Sequence, residues 1–552
     1  VRRALLLVPL VPLLLYARTA GFGFVNADDV DLIAGNQRFL SDLRNAPRAF
    51  ERSYFEVEGE PAGQKTYYRP VAIVSFMLDA ARGGAQPRAY HVTNVILHAI
   101  VTCLVFALAR AWGAAANIAL AAALVFAVHP LNVQAVAWVA ARNDLLVAVF
   151  GVVALLAWNA MAAAVAVPVA TAEAVALRGT TARRHATART ATAGSAMAGS
   201  AMALAIASRT TVPTIAIHLL AFALAVFSKE TGLLFPLLAV AHQRLVLRRP
   251  LTRPQAVALA GDGVVVAVWA VLRTRALAGM PSEVTPDVLR SAFGQLPQIL
   301  AHAGKMLIPA RLNVSPGVDL WSAAIGTVAV TAFAWAAWRW LAGRQALFAA
   351  GWALLLLAPT LLVPGMPAYE HRAYVPMIGL LAASSGGLAF APGTGRSRTR
   401  AWIALAAMLV TFAALAYQRQ DVFRDPFSYW SDGARDARFG PIAHVNLGQL
   451  HEAAGRPLEA RREYLRALER DPDTPKAHNN LGVVLMALDE PALALHHFTE
   501  ETRRHPWNAD AWFNLGLWHE TRGAPAEARR YFERAVAQDP HYAPAHEKLR
   551  QR

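Results

Sequence analysis

About eleven apolar runs occupy the first four hundred residues of this 552-residue chain, at roughly 4–24, 90–110, 116–136, 144–165, 212–228, 231–247, 256–274, 322–341, 345–363, 373–391 and 401–418. Most approach the ~20 residues that an α-helix needs to cross a bilayer. In lipid a segment must satisfy its own backbone N–H and C=O groups, and a helix does so internally. Only 16% of the residues are charged, against about 25% in a soluble protein, and the mean hydropathy is +0.33. These features predict an all-α, polytopic membrane helix bundle.

The formal charge is +16, yet a nucleic-acid partner is excluded because most of the excess lies in short loops between apolar runs, where it sets topology. The chain's one cysteine, Cys103, lies within an apolar run, so no intrachain disulfide forms. The first run follows Arg2 and Arg3 as in a signal peptide. Arg18, however, stands where a cleavage site requires a small residue, which favours a retained helix. Either choice places residue 26 onward outside. The inner loops then carry Arg110; Arg178, Arg183, Arg184 and Arg189; Arg244, Arg248, Arg249 and Arg253; Arg339 and Arg344; and Arg396, Arg398 and Arg400. Five loops agree with the positive-inside rule. The Ala/Thr-rich stretch 169–211 reads as a flexible inner loop, and a further crossing at 192–208 would invert everything downstream.

Beyond residue 440 the pattern changes to a 34-residue repeat. Glycines recur at Gly448, Gly482 and Gly516, followed in register by Ala460, Ala494 and Ala528, by Tyr464, Phe498 and Phe532, and by Pro472, Pro506 and Pro540. That is the tetratricopeptide signature of paired helices. The predicted organisation is a membrane domain over 1–420 with a first outer loop at 25–89, a linker at 421–440, and repeats at 441–474, 475–508 and 509–542. A partial cap at 543–552 completes an α-solenoid with eleven crossings beneath it. His444, His478 and Trp512 take equivalent places and either line a groove or pack one helix of a pair on the other.

Polar residues gather at the outer face. The first loop opens with NADD, placing Asp28 and Asp29 just beyond the first helix, where carboxylates suit proton acceptance or hold a divalent cation. YYRP (67–70) supplies Arg69, and the apolar stretch 71–78 is too short to span and belongs in the interface. In HVTNVILH (91–98), His91, Asn94 and His98 share one helical face. HPLNVQAVAWVAARNDLL (129–146) brings His129, Arg142 and Asp144, the last two spaced for an ion pair. SKETG (228–232) adds Lys229 and Glu230 as a charged turn, and YEHRAYVPMIGL (369–380) adds Glu370, His371, Arg372 and Tyr374. Carboxylates for base chemistry beside cations for a departing phosphate suit transfer from a lipid-phosphate donor.

These blocks, in this order and followed by tetratricopeptide repeats, resemble the transmembrane and tetratricopeptide-repeat-containing O-mannosyltransferases and their bacterial relatives. The resemblance implies a GT-C glycosyltransferase fold. The implied activity is inverting transfer of a mannose-like sugar from a polyprenyl-phosphate carrier to a hydroxyl, that of a Ser/Thr on a protein presented by the repeats. It gives the base role to Asp28 or Asp29. Arg372 would stabilise the departing phosphate, with Lys229, Arg142 and His91 as lesser candidates and Arg69, His129, Asp144, Glu230 and His371 around them. Leu131, Asn132 and Gln134 stand where that family carries an acidic or second histidine residue. No cofactor is implied with certainty, and a divalent cation is left open. Eleven crossings from an inner N-terminus put the repeats outside, so the expected setting is an inner (plasma) membrane with the repeats extracytoplasmic. The rival reading is a non-catalytic membrane-anchored scaffold.

Overall fold

A computed structural model describes residues 6–25, 27–56, 67–182, 211–278, 288–315, 320–340, 343–362, 369–387, 396–436 and 439–551. The chain divides into two compact units, Val1–Leu312 with Val318–Arg424, and Asn313–Gly317 with Asp425–Arg552. Both are helical, and no strand occurs among the described residues.

The first unit is built on α1 (Leu7–Tyr16), α2 (Pro70–Gly83), α3 (Pro87–Ala111), α4 (Ala116–Val128), α5 (Arg142–Ala182) and α6 (Thr211–Ser228). It continues through α7 (Arg253–Ala276), α8 (Val288–Leu307), α9 (Leu320–Trp340), α10 (Gly343–Leu357), α11 (Tyr374–Gly387) and α12 (Arg396–Arg419). Six helical segments among the described residues are long and apolar enough to cross a membrane, which makes this a multi-pass membrane protein. A seventh forms if two helices bent by 51° at His129 count as one.

Several of the predicted runs are interrupted or extended, and three bear on the site. The run at 116–136 breaks where Pro130, which has no N–H to donate, follows α4. The run at 231–247 is a 3₁₀ turn (Glu230–Leu234), a short helix (Phe235–Ala241) and a π turn (His242–Val246). The third, α5, continues to Ala182, into the stretch expected as loop. Residues 192–208, on which the number of crossings turns, lie outside the described residues.

Helix α3 shows how burial is encoded. Its buried face carries Tyr90, His91, Asn94, His98, Thr102 and Val105, while Val92, Ile96 and Ile100 stay exposed, as the helical spacing requires. From Phe126 to Val149 every residue is buried, although much of the segment is not regular helix. Irregular backbone survives at membrane depth only when protein surrounds it and takes up its polar groups. Asn94 does this directly, donating through Nδ2 to Val136 O (3.2 Å) and Trp138 O (3.3 Å).

The second unit begins with α13 (Pro426–Gly433) and continues as helix pairs: α14 (Gly440–Ala453) with α15 (Pro457–Arg470), α16 (Ala477–Ala487) with α17 (Pro491–Arg504), and α18 (Ala509–Glu520) with α19 (Pro525–Gln538). Helix α20 (Ala543–Arg550) follows the last pair. The repeat glycines are needed for close approach. A Cβ on Gly448, Gly482 or Gly516 would fall 2.4, 2.6 and 2.4 Å from the rings of Tyr464, Phe498 and Phe532. His444, His478 and Trp512 pack across their own pairs, against Glu463, His497 and Tyr531.

Candidate active site

Asp29 is buried at 1% exposure and held by two backbone donors, Ala140 N at 2.8 Å and Val25 N at 3.2 Å. It ties the loop after α1 to the irregular connection after α4. Burial pushes its carboxyl up to about 7, opposed by the two N–H groups and reinforced by the neighbouring charge of Asp28. Asp28 is only half-buried, so it is the more accessible of the pair. Tyr54, whose hydroxyl lies 3.4 Å from Ala140 O, is within electrostatic reach of both Asp28 and Arg69.

Arg142 has a different partner from the expected one. It is fully buried and pairs with Asp79 at 2.5 Å, not with Asp144. Its Nε donates to Asn94 Oδ1 (2.8 Å), and its terminal nitrogens donate to Tyr90 O (2.8 Å) and Ser75 O (3.2 Å). Phe76 lies beneath the guanidinium, 4.6 Å from its carbon. One side chain thus fastens α2, α3 and the start of α5, with its donors spent on protein.

Lys229 takes Asp144 instead, at 2.6 Å, and Glu230 pairs with Arg69 at 3.1 Å. The SKETG turn is therefore clasped to two other segments rather than being a free charged tip. Arg69 also lies over Tyr67, 4.5 Å from the ring centre. Arg372 joins this group electrostatically through Asp144, Arg69, Tyr67 and Tyr369, and sits 5.8 Å from the Tyr369 ring. His371 stacks on Tyr369 (5.4 Å) and meets Trp138 edge-on (5.5 Å), while its backbone N donates to Gln134 Oε1 at 3.0 Å. Burial, with Lys229, Arg372 and Arg69 nearby, holds its imidazole well below the usual range and therefore neutral.

The structure thus brings Asp28, Asp29, Arg69, Asp144, Lys229, Glu230, His371 and Arg372 into one connected region. His91 and His129 meet backbone groups instead. His91 Nε2 meets Gly23 O at 3.2 Å, and His129 Nδ1 accepts from Leu131 N at 3.2 Å where α4 ends. Asp79 escapes a reading of the motifs, and Glu370 is legible in its block but not its partners. Asp79 follows the apolar stretch 71–78 within α2, where a lone carboxylate signals a buried cation partner. Glu370, at 1% exposure, bridges Lys305 (3.7 Å) and Arg419 (3.4 Å), positioning the turn that carries His371 and Arg372. Among the described residues, no three His, Cys, Asp or Glu side chains gather as a metal site would need.

A family model described as "Tetratricopeptide repeat" matches residues 445–495 and 484–543, so these are tetratricopeptide repeats. The chain is similar to the protein O-mannosyl-transferase Tmtc1 of Drosophila melanogaster, at 34% identity over 131 residues, covering 24% of this chain and 15% of that protein. It is similar to human TMTC2 at 32% identity over 146 residues, covering 26% and 17%, and to mouse TMTC3 at 31% over 147 residues, covering 25% and 15%. The matched part is about a sixth of those relatives' length. A solved structure of MamA aligns with 22% of this chain and 74% of its own at 19% identity, with a TM-score of 0.20. The named relatives support the family resemblance drawn from the motifs.

Proposed function

We propose that this protein is a membrane glycosyltransferase that moves a mannose-like sugar from a polyprenyl-phosphate donor to a Ser or Thr hydroxyl of a protein. One observation carries the reading: a half-buried carboxylate, Asp28, backed by a clamped Asp29, stands in one region with three cationic side chains, Arg69, Lys229 and Arg372. In this reading Asp28 accepts the hydroxyl proton as the acceptor oxygen attacks the anomeric carbon. The bond from that carbon to the phosphate oxygen breaks, with inversion, and the polyprenyl phosphate departs with the bonding pair. Arg372 is the first candidate to hold that phosphate, since a guanidinium presents a planar fork of donors. Lys229 and Arg69 supply further positive charge, while Arg142 and His129 hold the backbone that shapes the region.

Such a donor enters through the bilayer, so chemistry at the boundary suits it. The repeats, which form a protein-binding module in this architecture, would recruit the acceptor on the extracytoplasmic side of an inner membrane. The test is to give the purified, detergent-solubilised protein a labelled polyprenyl-phosphate mannose and a Ser/Thr-rich acceptor, with and without EDTA. Labelled acceptor with an inverted anomeric linkage is expected, and the EDTA arm reads any need for a divalent cation. A protein that only scaffolds would leave the label on the lipid.

A further inference from the structure

Away from the candidate active site, the turn between α2 and α3 forms an open groove of about 290 Å³ lined by Arg82, Gly83, Gln86, Arg88, Ala89, Val92, Thr93 and Ile96. Its shape follows from the chain. Gly84 takes a left-handed conformation (φ +61°) that ends α2, and Pro87 starts α3 in its first turn. The tight reversal leaves Arg82 and Arg88 exposed on the two sides of one depression. Below them, Val92, Ile96 and Ile100 are exposed at 39%, 48% and 41%, spaced four residues apart on one face of a helix apolar enough to cross the membrane. Ile100 lies about 12 Å further along the axis than Val92 at ~1.5 Å per residue. The groove therefore has a cationic mouth and an apolar floor running into the hydrocarbon.

The charge at the mouth is not neutralised locally. Asp79 is the carboxylate on this side of α2, and it is already engaged by Arg142 at 2.5 Å and by the Thr93 hydroxyl at 2.6 Å. Arg82 reaches it only at 3.8 Å and keeps 72% of its side chain exposed. Arg82, Arg88 and Arg142 against Asp79 leave a surplus of two positive charges at the outer end of a spanning helix.

We infer that this groove binds one anionic membrane phospholipid, its phosphate between Arg82 and Arg88 and an acyl chain along Val92, Ile96 and Ile100. The occupant is a bilayer phospholipid because free phosphate would gain nothing from the apolar floor. A zwitterionic lipid brings its own cation to a mouth that already has a surplus. The groove is separate from the residues assigned to sugar transfer, so its fate does not depend on that assignment.

Both arginines are exposed, so replacing them leaves the packed interior intact. The experiment reconstitutes the full-length protein in phosphatidylcholine nanodiscs, titrates in phosphatidylglycerol, and counts retained lipid by native mass spectrometry. One phosphatidylglycerol is expected to stay bound in preference to phosphatidylcholine, and Arg82→Gln with Arg88→Gln is expected to weaken it about tenfold or more. Arg88→Gln alone, which leaves the Arg82–Asp79 contact in place, is expected to show a smaller loss. Arg275→Gln is the control, because Arg275 is an exposed arginine at the end of another spanning helix. An unchanged affinity in the double variant would overturn the proposal. So would an equal loss in Arg275→Gln, which would reduce the effect to general membrane-surface attraction, or full displacement by inorganic phosphate, which would remove the acyl-chain contact.

Discussion

At the scale of single residues, sequence motifs locate the polar groups but not their partners. Arg142 and Asp144 sit two apart and invite a local pair, yet each reaches a different segment: Asp79 on α2 for the arginine, Lys229 for the carboxylate. A three-dimensional clasp leaves no trace in spacing, because its halves are 63 and 85 residues distant. The distinction between arginines has a measurable consequence. Arg142→Ala strands Asp79 as a buried charge and should cost about 3–5 kcal/mol, read as a lower unfolding midpoint in detergent. Arg372→Ala should leave that midpoint near the wild-type value and lower transfer by about 10²–10³, as when one donor to a developing charge is removed. If Arg142→Ala unfolds like the wild type, the fastening role is wrong.

At the scale of elements, the repeats are legible almost residue by residue, whereas the membrane unit is legible only in outline. A 34-residue repeat states its packing three times, and the spacing alone pairs each glycine with an aromatic 16 residues later. Gly482→Val should therefore drive its side chain into Phe498 and cost about 1–3 kcal/mol, seen in thermal unfolding of the full-length protein. Gly351→Ala on α10, where an added Cβ meets nothing within 4 Å, should be tolerated. Hydropathy, by contrast, averages over a window. It registers 116–136 and 231–247 as apolar without registering that the backbone breaks inside them. Pro130 is the readable clue in the first run. The second carries Pro236 at the start of a helix, where proline is well accommodated, so the clue there is weaker.

At the scale of the whole molecule, the proposed transfer depends on sidedness and on what Asp28 and Asp29 each do. Charge in the loops is informative because arginines cluster on alternate connections, while the face bearing NADD, SKETG and YEHR mixes acids, bases and histidines. With Cys103 replaced by Ser, Arg44→Cys in the loop after α1 and Arg248→Cys after the π turn should label from opposite sides with a membrane-impermeant maleimide. Labelling from the same side would contradict the assigned topology. The most direct test of the account is the pH–rate profile of sugar transfer for wild type, Asp28→Asn and Asp29→Asn. With Asp28 as the base, Asp28→Asn should lose about 10²–10⁴ in rate at every pH. Asp29 is protonated below about 7 and ionised above it, so its grip on the Val25 and Ala140 N–H groups weakens as pH falls. Wild-type activity should decline below that pH, and the decline should vanish in Asp29→Asn. Undiminished transfer by Asp28→Asn across the range would contradict the account.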